Sequence, residues 1–181
     1  MKSHQSSNTQ SARAHLRNRV GQPAHRSKSP APRSPGGAHA GKRILLVDDD
    51  PTVRDSLKDV LLAESYLIIP AEDGQQALDL ANKWPIDLVL LDLNMPVKNG
   101  WDTFEKLTAE HPLIPIIIAT ARPNQLFTAL NSGVGALLEK PMDILTLLRT
   151  MEKLLAETAE QRLARLAGKE TEFHFQPATA R

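Results

Sequence analysis

The chain contains no cysteine, which excludes disulfide bridges and thiolate metal sites and fits a cytoplasmic protein. It also has no apolar run near the roughly 20 residues that a bilayer crossing requires, so no membrane partner is expected. Its six histidines are scattered and form no metal-ligand spacing. Acids are missing from the first 43 residues, which carry nine bases. The other thirteen bases face all twenty-one acids over residues 44–181, a net of −8 there beneath an overall +1. Residues 1–40 have hardly a large apolar side chain beyond Leu16 and Val20. Such a segment cannot bury enough surface to offset its ordering entropy. Residues 1–41 therefore read as a disordered basic leader, with a Pro-rich linker over residues 27–37. The leader lacks the apolar core of a secretory signal and the amphipathic stripe of a transit peptide. Its charge could attract nucleic acid or anionic lipid only non-specifically, and a solubilising tail is the simpler reading.

What the rest of the chain has is alternation, arranged around IDLVLLDLNMPVKNG at residues 86–100. Residues 86–91 are apolar except for Asp87, too short for a globular helix and of strand length. A strand apolar on both sides needs cover on both faces, which places it centrally in a parallel sheet. It ends on Asp92, followed by the turn formers Asn94, Pro96, Asn99 and Gly100. Before it, residues 44–47 form a strand ending at Asp48, Asp49 and Asp50, and Pro51 opens a helix with Asp50 as its cap. Residues 66–69 give a short strand and residues 75–84 a helix stopped by Pro85. After it come a helix over residues 101–111, a strand over 116–119 ending at Thr120, a short helix over 126–131 and a strand over 136–138 leading to Lys140-Pro141. One long helix is then expected from Asp143 to about Gly168. Five strands alternating with five helices predict an α/β fold with a doubly wound parallel sheet.

In a sheet ordered 2-1-3-4-5 the C-terminal strand ends converge on one crevice at the switch point. That crevice gathers Asp48, Asp49 and Asp92, with Thr120 and Lys140 beside them. A lone strand-end aspartate would be merely solvated, but three carboxylates repel one another and call for a divalent cation. All-oxygen ligands suit Mg²⁺ or Mn²⁺ rather than zinc. The lysine and the hydroxyl are left to meet a second anion, which describes phosphoryl transfer to an aspartate.

Taken together, VDDD (47–50), EDGQQAL (72–78), LLDLNMP (90–96) with Asn99-Gly100, IIIATA (116–121) and EKP (139–141) resemble a bacterial response-regulator receiver domain of the chemotaxis-regulator kind. The resemblance covers residues 42–156 and implies a flavodoxin-like fold. It implies that Asp92 accepts a phosphoryl group from a histidine kinase or a histidine phosphotransfer protein. It further implies a Mg²⁺ ion held by Asp49, by Asp48 through water, by Asp92 and by the carbonyl of Asn94. Thr120 and Lys140 would contact the phosphoryl oxygens, a cis Lys140-Pro141 bond would aim the lysine, and output would run through the α4–β5–α5 face. One departure stands out: similar receivers carry an aromatic three residues before the lysine, and here that position is Leu137.

Residues 157–181 are expected to be a helical extension and tail, projecting from the domain and offering a homodimer or partner face through Leu147, Leu154 and Leu163. The stretch after Gly168 reads as too short for an output domain, so a stand-alone receiver is expected, with a downstream protein target and no DNA-binding domain. The expected chemistry is Mg²⁺-dependent self-phosphorylation and self-dephosphorylation, not enzymatic turnover of another molecule. An interaction module that is never phosphorylated is the alternative. A phosphatase of the haloacid-dehalogenase type fits poorly, because its second aspartate would stand where this chain has Asn94.

Overall fold

Asp87 decides where the central strand begins. Its carboxylate accepts hydrogen bonds from the Lys42 ammonium and the Arg43 N–H, both at 2.8 Å, pinning the start of one strand beside the next. Burial alone would raise its pKa, but these bonds and the two basic charges outweigh burial and hold it below the usual value. The single acid inside the apolar run is thus the clasp at its edge. The computed structural model describes residues 41–95, 100–169 and 172–178; residues 1–40 of the predicted leader, and Pro96 and Asn99 of the predicted turn, lie outside these.

Six parallel strands form one sheet in the order β2-β1-β3-β4-β5-β6. They are β1 (Arg43–Val47), β2 (Leu67–Ala71), β3 (Leu88–Asp92), β4 (Ile116–Thr120), β5 (Ala136–Glu139) and β6 (His174–Gln176). The helices are α1 (Pro51–Ala63), α2 (Gly74–Lys83), α3 (Gly100–Glu110), α4 (Leu126–Ser132), α5 (Ile144–Leu155) and α6 (Ala159–Leu166). Each strand sends alternate side chains to opposite faces, so the apolar runs split by parity. Leu45, Val47, Val89, Leu91, Ile116, Ile118 and Leu137 pack with Ala77, Leu78, Phe104, Leu107 and Ala129 of α2, α3 and α4. Ile44, Leu46, Leu88, Leu90, Ile117 and Leu138 pack with Leu57, Leu61, Leu147, Met151 and Leu154 of α1 and α5. The doubly wound, flavodoxin-like arrangement and the order of the first five strands agree with the sequence reading. Pro70 is tolerated within β2 because that strand lies at the sheet edge.

Helix starts are set by short polar side chains. Asp50 accepts from the N–H groups of Thr52 and Val53, Asp73 from that of Gln76, and Asp143 from that of Thr146. Among the described residues no helix is long and apolar enough to cross a membrane.

Two expectations for the C-terminal part are corrected. The long helix breaks after Leu155, because Thr158 and Gln161 form a capping box that starts a second helix, α6. The second half therefore does not project. It lies against the domain, with the Arg162 Nη1 donating to the Gly133 carbonyl at 2.9 Å and its Nε to the Pro112 carbonyl at 3.3 Å. The face expected to be a dimer surface is likewise reassigned, since Leu147 and Leu154 are core residues and only Leu163 is exposed. Burial, joined by the charge of Arg165, pulls the Arg162 guanidinium down to about 10, which leaves it charged at neutral pH.

At the start of α3, Gly100 has no room for a side chain: a Cβ would lie 2.5 Å from the Leu93 Cα and 2.7 Å from the Asp92 carbonyl oxygen. These neighbours are backbone and cannot rotate away. Gly100→Ala should cost about 1–3 kcal/mol through overpacking. A urea unfolding midpoint equal to that of the wild type would show that the turn relaxes freely.

Candidate functional site

The C-terminal ends of β1, β3, β4 and β5 all open on the same side of the sheet, because every pairing among them is parallel. Asp48 follows β1, Asp92 ends β3, Thr120 ends β4 and Lys140 follows β5. Asp48 is 2% and Asp92 4% exposed, while Asp49 faces solvent. The carboxylates of Asp48, Asp49 and Asp92 offer oxygens within 4.8 Å of one another, and together they could hold a metal ion. Thus the sequence-predicted acids do come together.

Buried carboxylates need partners, and two of these share one. The Lys140 Nζ donates to Asp48 Oδ2 at 2.8 Å and to Asp92 Oδ2 at 3.1 Å. Burial would push the lysine pKa down, but the hydrogen bond to Asp48 and the charges of Asp92 and Asp48 outweigh it and raise the pKa above the ordinary value. The remaining oxygens are met by the backbone: Asp48 Oδ1 accepts from the Asp50 N–H and Asp92 Oδ1 from the Asn94 N–H, both at 3.0 Å. Three carboxylates against one ammonium leave excess negative charge, and hard oxygen donors are the set that binds a hard divalent cation. The donor chemistry therefore fits such an ion.

Thr120 is fully buried, and its hydroxyl accepts from the Arg122 N–H at 3.0 Å rather than meeting the carboxylates. The loop beyond it is tied to α3, where the Trp101 indole N–H donates to Gln125 Oε1 at 2.9 Å. The Lys140-Pro141 bond is cis. Leu137 is fully buried, as are Met95 and Phe104 on the same face. Sequence reading missed Arg54, whose Nη1 donates to the Asp48 carbonyl at 2.6 Å from α1 and steadies the strand end. Its place one turn into the helix after the aspartate run was the available signal. Asn94 is placed at the site by its own N–H, which donates to Asp92 Oδ1.

These strand-end carboxylates, the lysine bridge and the 2-1-3-4-5 core place the chain in a class, and the comparisons agree. The response regulator receiver domain profile matches residues 44–152, and the chain belongs to that family. A receiver domain protein from Methanospirillum hungatei is similar in structure, with a TM-score of 0.62 and 31% identity over 67% of this chain and 98% of that one. So is the response regulator TrrA of Thermotoga maritima in complex with Mg²⁺-BeF, with a TM-score of 0.59 and 32% identity over 62% of this chain and 98% of that one. In sequence, the transcriptional regulatory protein CpxR of Escherichia coli is 47% identical over 94 residues, 52% of this chain and 40% of CpxR.

The matched curated relatives thus extend well beyond the aligned part, and this chain spans about half their length. That overturns the partner assignment made from the sequence, a downstream protein target with no DNA-binding domain. A receiver this similar occurs in CpxR, a transcriptional regulatory protein, so the receiver alone does not define the kind of partner. The physical source of the error is that a receiver's own core and site are complete without its output, and carry no imprint of it.

Asp49 is exposed and carries no ion pair among the described contacts, so its natural counter-charge is a cation. Asp49→Ala should weaken Mg²⁺ binding at least about tenfold, equivalent to about 1.4 kcal/mol. Calorimetric titration giving wild-type affinity would remove Asp49 from the ligand set.

Proposed function

We propose that the protein is a phosphoryl-accepting switch of a two-component phosphorelay, with Asp92 as the acceptor. The observation that carries this reading is the shared ammonium: Lys140 bridges Asp92 to Asp48, so the acceptor carboxylate is paired and oriented where the strand ends meet. A carboxylate oxygen of Asp92 attacks the phosphorus of a phosphohistidine on a histidine kinase or phosphotransfer protein. The P–N bond breaks, the imidazole leaves, and an aspartyl phosphate forms. Asp48, Asp49 and Asp92, with Asn94 at the edge, would hold Mg²⁺, which supplies charge neutralisation for the incoming phosphoryl oxygens. Mn²⁺ would serve the same role.

Lys140 then exchanges a carboxylate oxygen of Asp92 for a phosphoryl oxygen as a point charge. The Thr120 hydroxyl, which accepts from the Arg122 N–H, is the group placed to turn and donate to another. Water attack on phosphorus later breaks the acyl phosphate, returning the carboxylate and releasing inorganic phosphate. On this reading the protein turns over its own phosphoryl group and acts on no other substrate. The two groups that sense the new oxygens lie at the ends of β4 and β5, so the change is delivered toward α4, β5 and α5.

Incubation with acetyl phosphate and Mg²⁺ should add one phosphoryl mass to the intact protein, and Asp92→Asn should abolish it. An adduct retained in Asp92→Asn would move the acceptor elsewhere. No adduct in the wild type would favour a receiver-like module that binds partners without chemistry.

A further inference from the structure

In the strand order found here β5 is not the sheet edge, because β6 covers it. The cover is supplied by the segment that follows α5. Capped by Thr158, α6 seats the nearly inaccessible Arg162 on the carbonyls of Gly133, at the end of α4, and Pro112. Gly133 and Leu166 meet so closely that a Cβ on Gly133 would lie 2.9 Å from the Leu166 Cα. Phe173 then packs on the cluster that contains Leu137, Val134 and Ala129. His174, Phe175 and Gln176 pair in register with Ala136, Leu137 and Leu138. Finally the Ala178 N–H donates to Glu139 Oε2 at 3.1 Å.

Two features of this cover bear on the switch. Beyond α6 it is thin: residues 172–178 offer three residues of strand, a Lys153–Glu172 ion pair more than half exposed on both sides, and an apolar anchor in Phe173. Exposed ion pairs contribute little, and segments with so few buried contacts open at far lower cost than the core. It is also fastened to the strand that senses the site. Leu137, at the position where similar receivers carry an aromatic, lies beside Phe175, and Glu139, which holds Ala178, directly precedes Lys140. The Lys140 N–H in turn donates to the Thr120 carbonyl at 2.8 Å, so both phosphoryl-sensing residues bear on this end of β5.

We propose that residues 172–178 are an intramolecular strap over the edge of β5, closed while Asp92 is free and loosened when Asp92 carries a phosphoryl group. The proposal rests on the phosphoryl-acceptor reading of Asp92. Drawing Lys140 and Thr120 toward new oxygens shifts the end of β5, which misaligns Glu139 with Ala178 and Leu137 with Phe175. The strap yields before the core does, and the edge of β5 opens. By linkage the effect is reciprocal: whatever loosens the strap must favour the loaded site by the same factor.

The test uses the full chain with Mg²⁺, with and without beryllofluoride as the phosphoryl mimic. Fluorine NMR reads occupancy of the site, and amide hydrogen exchange reads the strap. Exchange over residues 172–178 should rise at least about fivefold on loading, the low end of ordinary coupling between sites. Phe173→Ala, which lies outside the acceptor site, should bind beryllofluoride tighter by a comparable factor. Bound beryllofluoride with unchanged or slower exchange in the strap overturns the strap and leaves the acceptor reading standing. Absence of bound beryllofluoride in the wild type overturns the acceptor reading and the strap with it. The wild-type exchange measurement decides the matter even if Phe173→Ala fails to fold.

Discussion

One ammonium group organises the functional end of this protein. Lys140 stands between two nearly inaccessible carboxylates, Asp48 and Asp92, that come from different strands and would otherwise repel across the crevice. Burying either acid without a partner would be costly, and burying the lysine alone would strip it of its charge. Together they satisfy one another, and the remaining carboxylate oxygens are taken by the N–H groups of Asp50 and Asn94. The arrangement depends on β1, β3 and β5 ending at one level, which only a parallel sheet with helical crossovers provides.

On the proposed reading, the same bridge makes the site responsive. A lysine bound to two carboxylates has an alternative anion whenever one appears nearby, and it follows charge without demanding a fixed geometry. Thr120 is in a similar position, its hydroxyl accepting from the Arg122 N–H two residues on rather than meeting the acids. Both residues sit where a small displacement moves a strand end rather than a loop tip. The Trp101–Gln125 hydrogen bond ties the loop after Thr120 back to α3, so that loop is also braced from outside the crevice.

The C-terminal segment changes what kind of surface this receiver presents. A receiver similar to it occurs in the transcriptional regulatory protein CpxR, which extends beyond the matched part. Here the residues after α5 turn back and use a buried arginine where a leucine stripe would be ordinary. Arg162 is suited to that place because its fork of donors serves two carbonyls from different segments, Gly133 after α4 and Pro112 in the α3–β4 loop. An apolar side chain would fill the space and leave both carbonyls unmet.

The alternating elements, the cap at Asp50 and the strand-end positions of Asp48, Asp92 and Thr120, with Lys140 just beyond, were legible in the residues, and the strand order followed once a doubly wound sheet was assumed. This was so because buried parallel strands are near-continuous apolar runs, and because strand-end position converts directly into site position. Asp87 looked like a flaw in the central run until the Lys42 and Arg43 contacts made it the clasp of β1 to β3. The break before α6 was written in Thr158 and Gln161, a local signal outweighed by a leucine periodicity that runs across it. The burial of Arg162, the burial of Leu147 and Leu154 in the core, and the pairing of β6 with β5 came only from the folded chain. Each of these is a contact between segments distant in the chain. A three-residue strand and a charged side chain have no local pattern that announces the partner they will find.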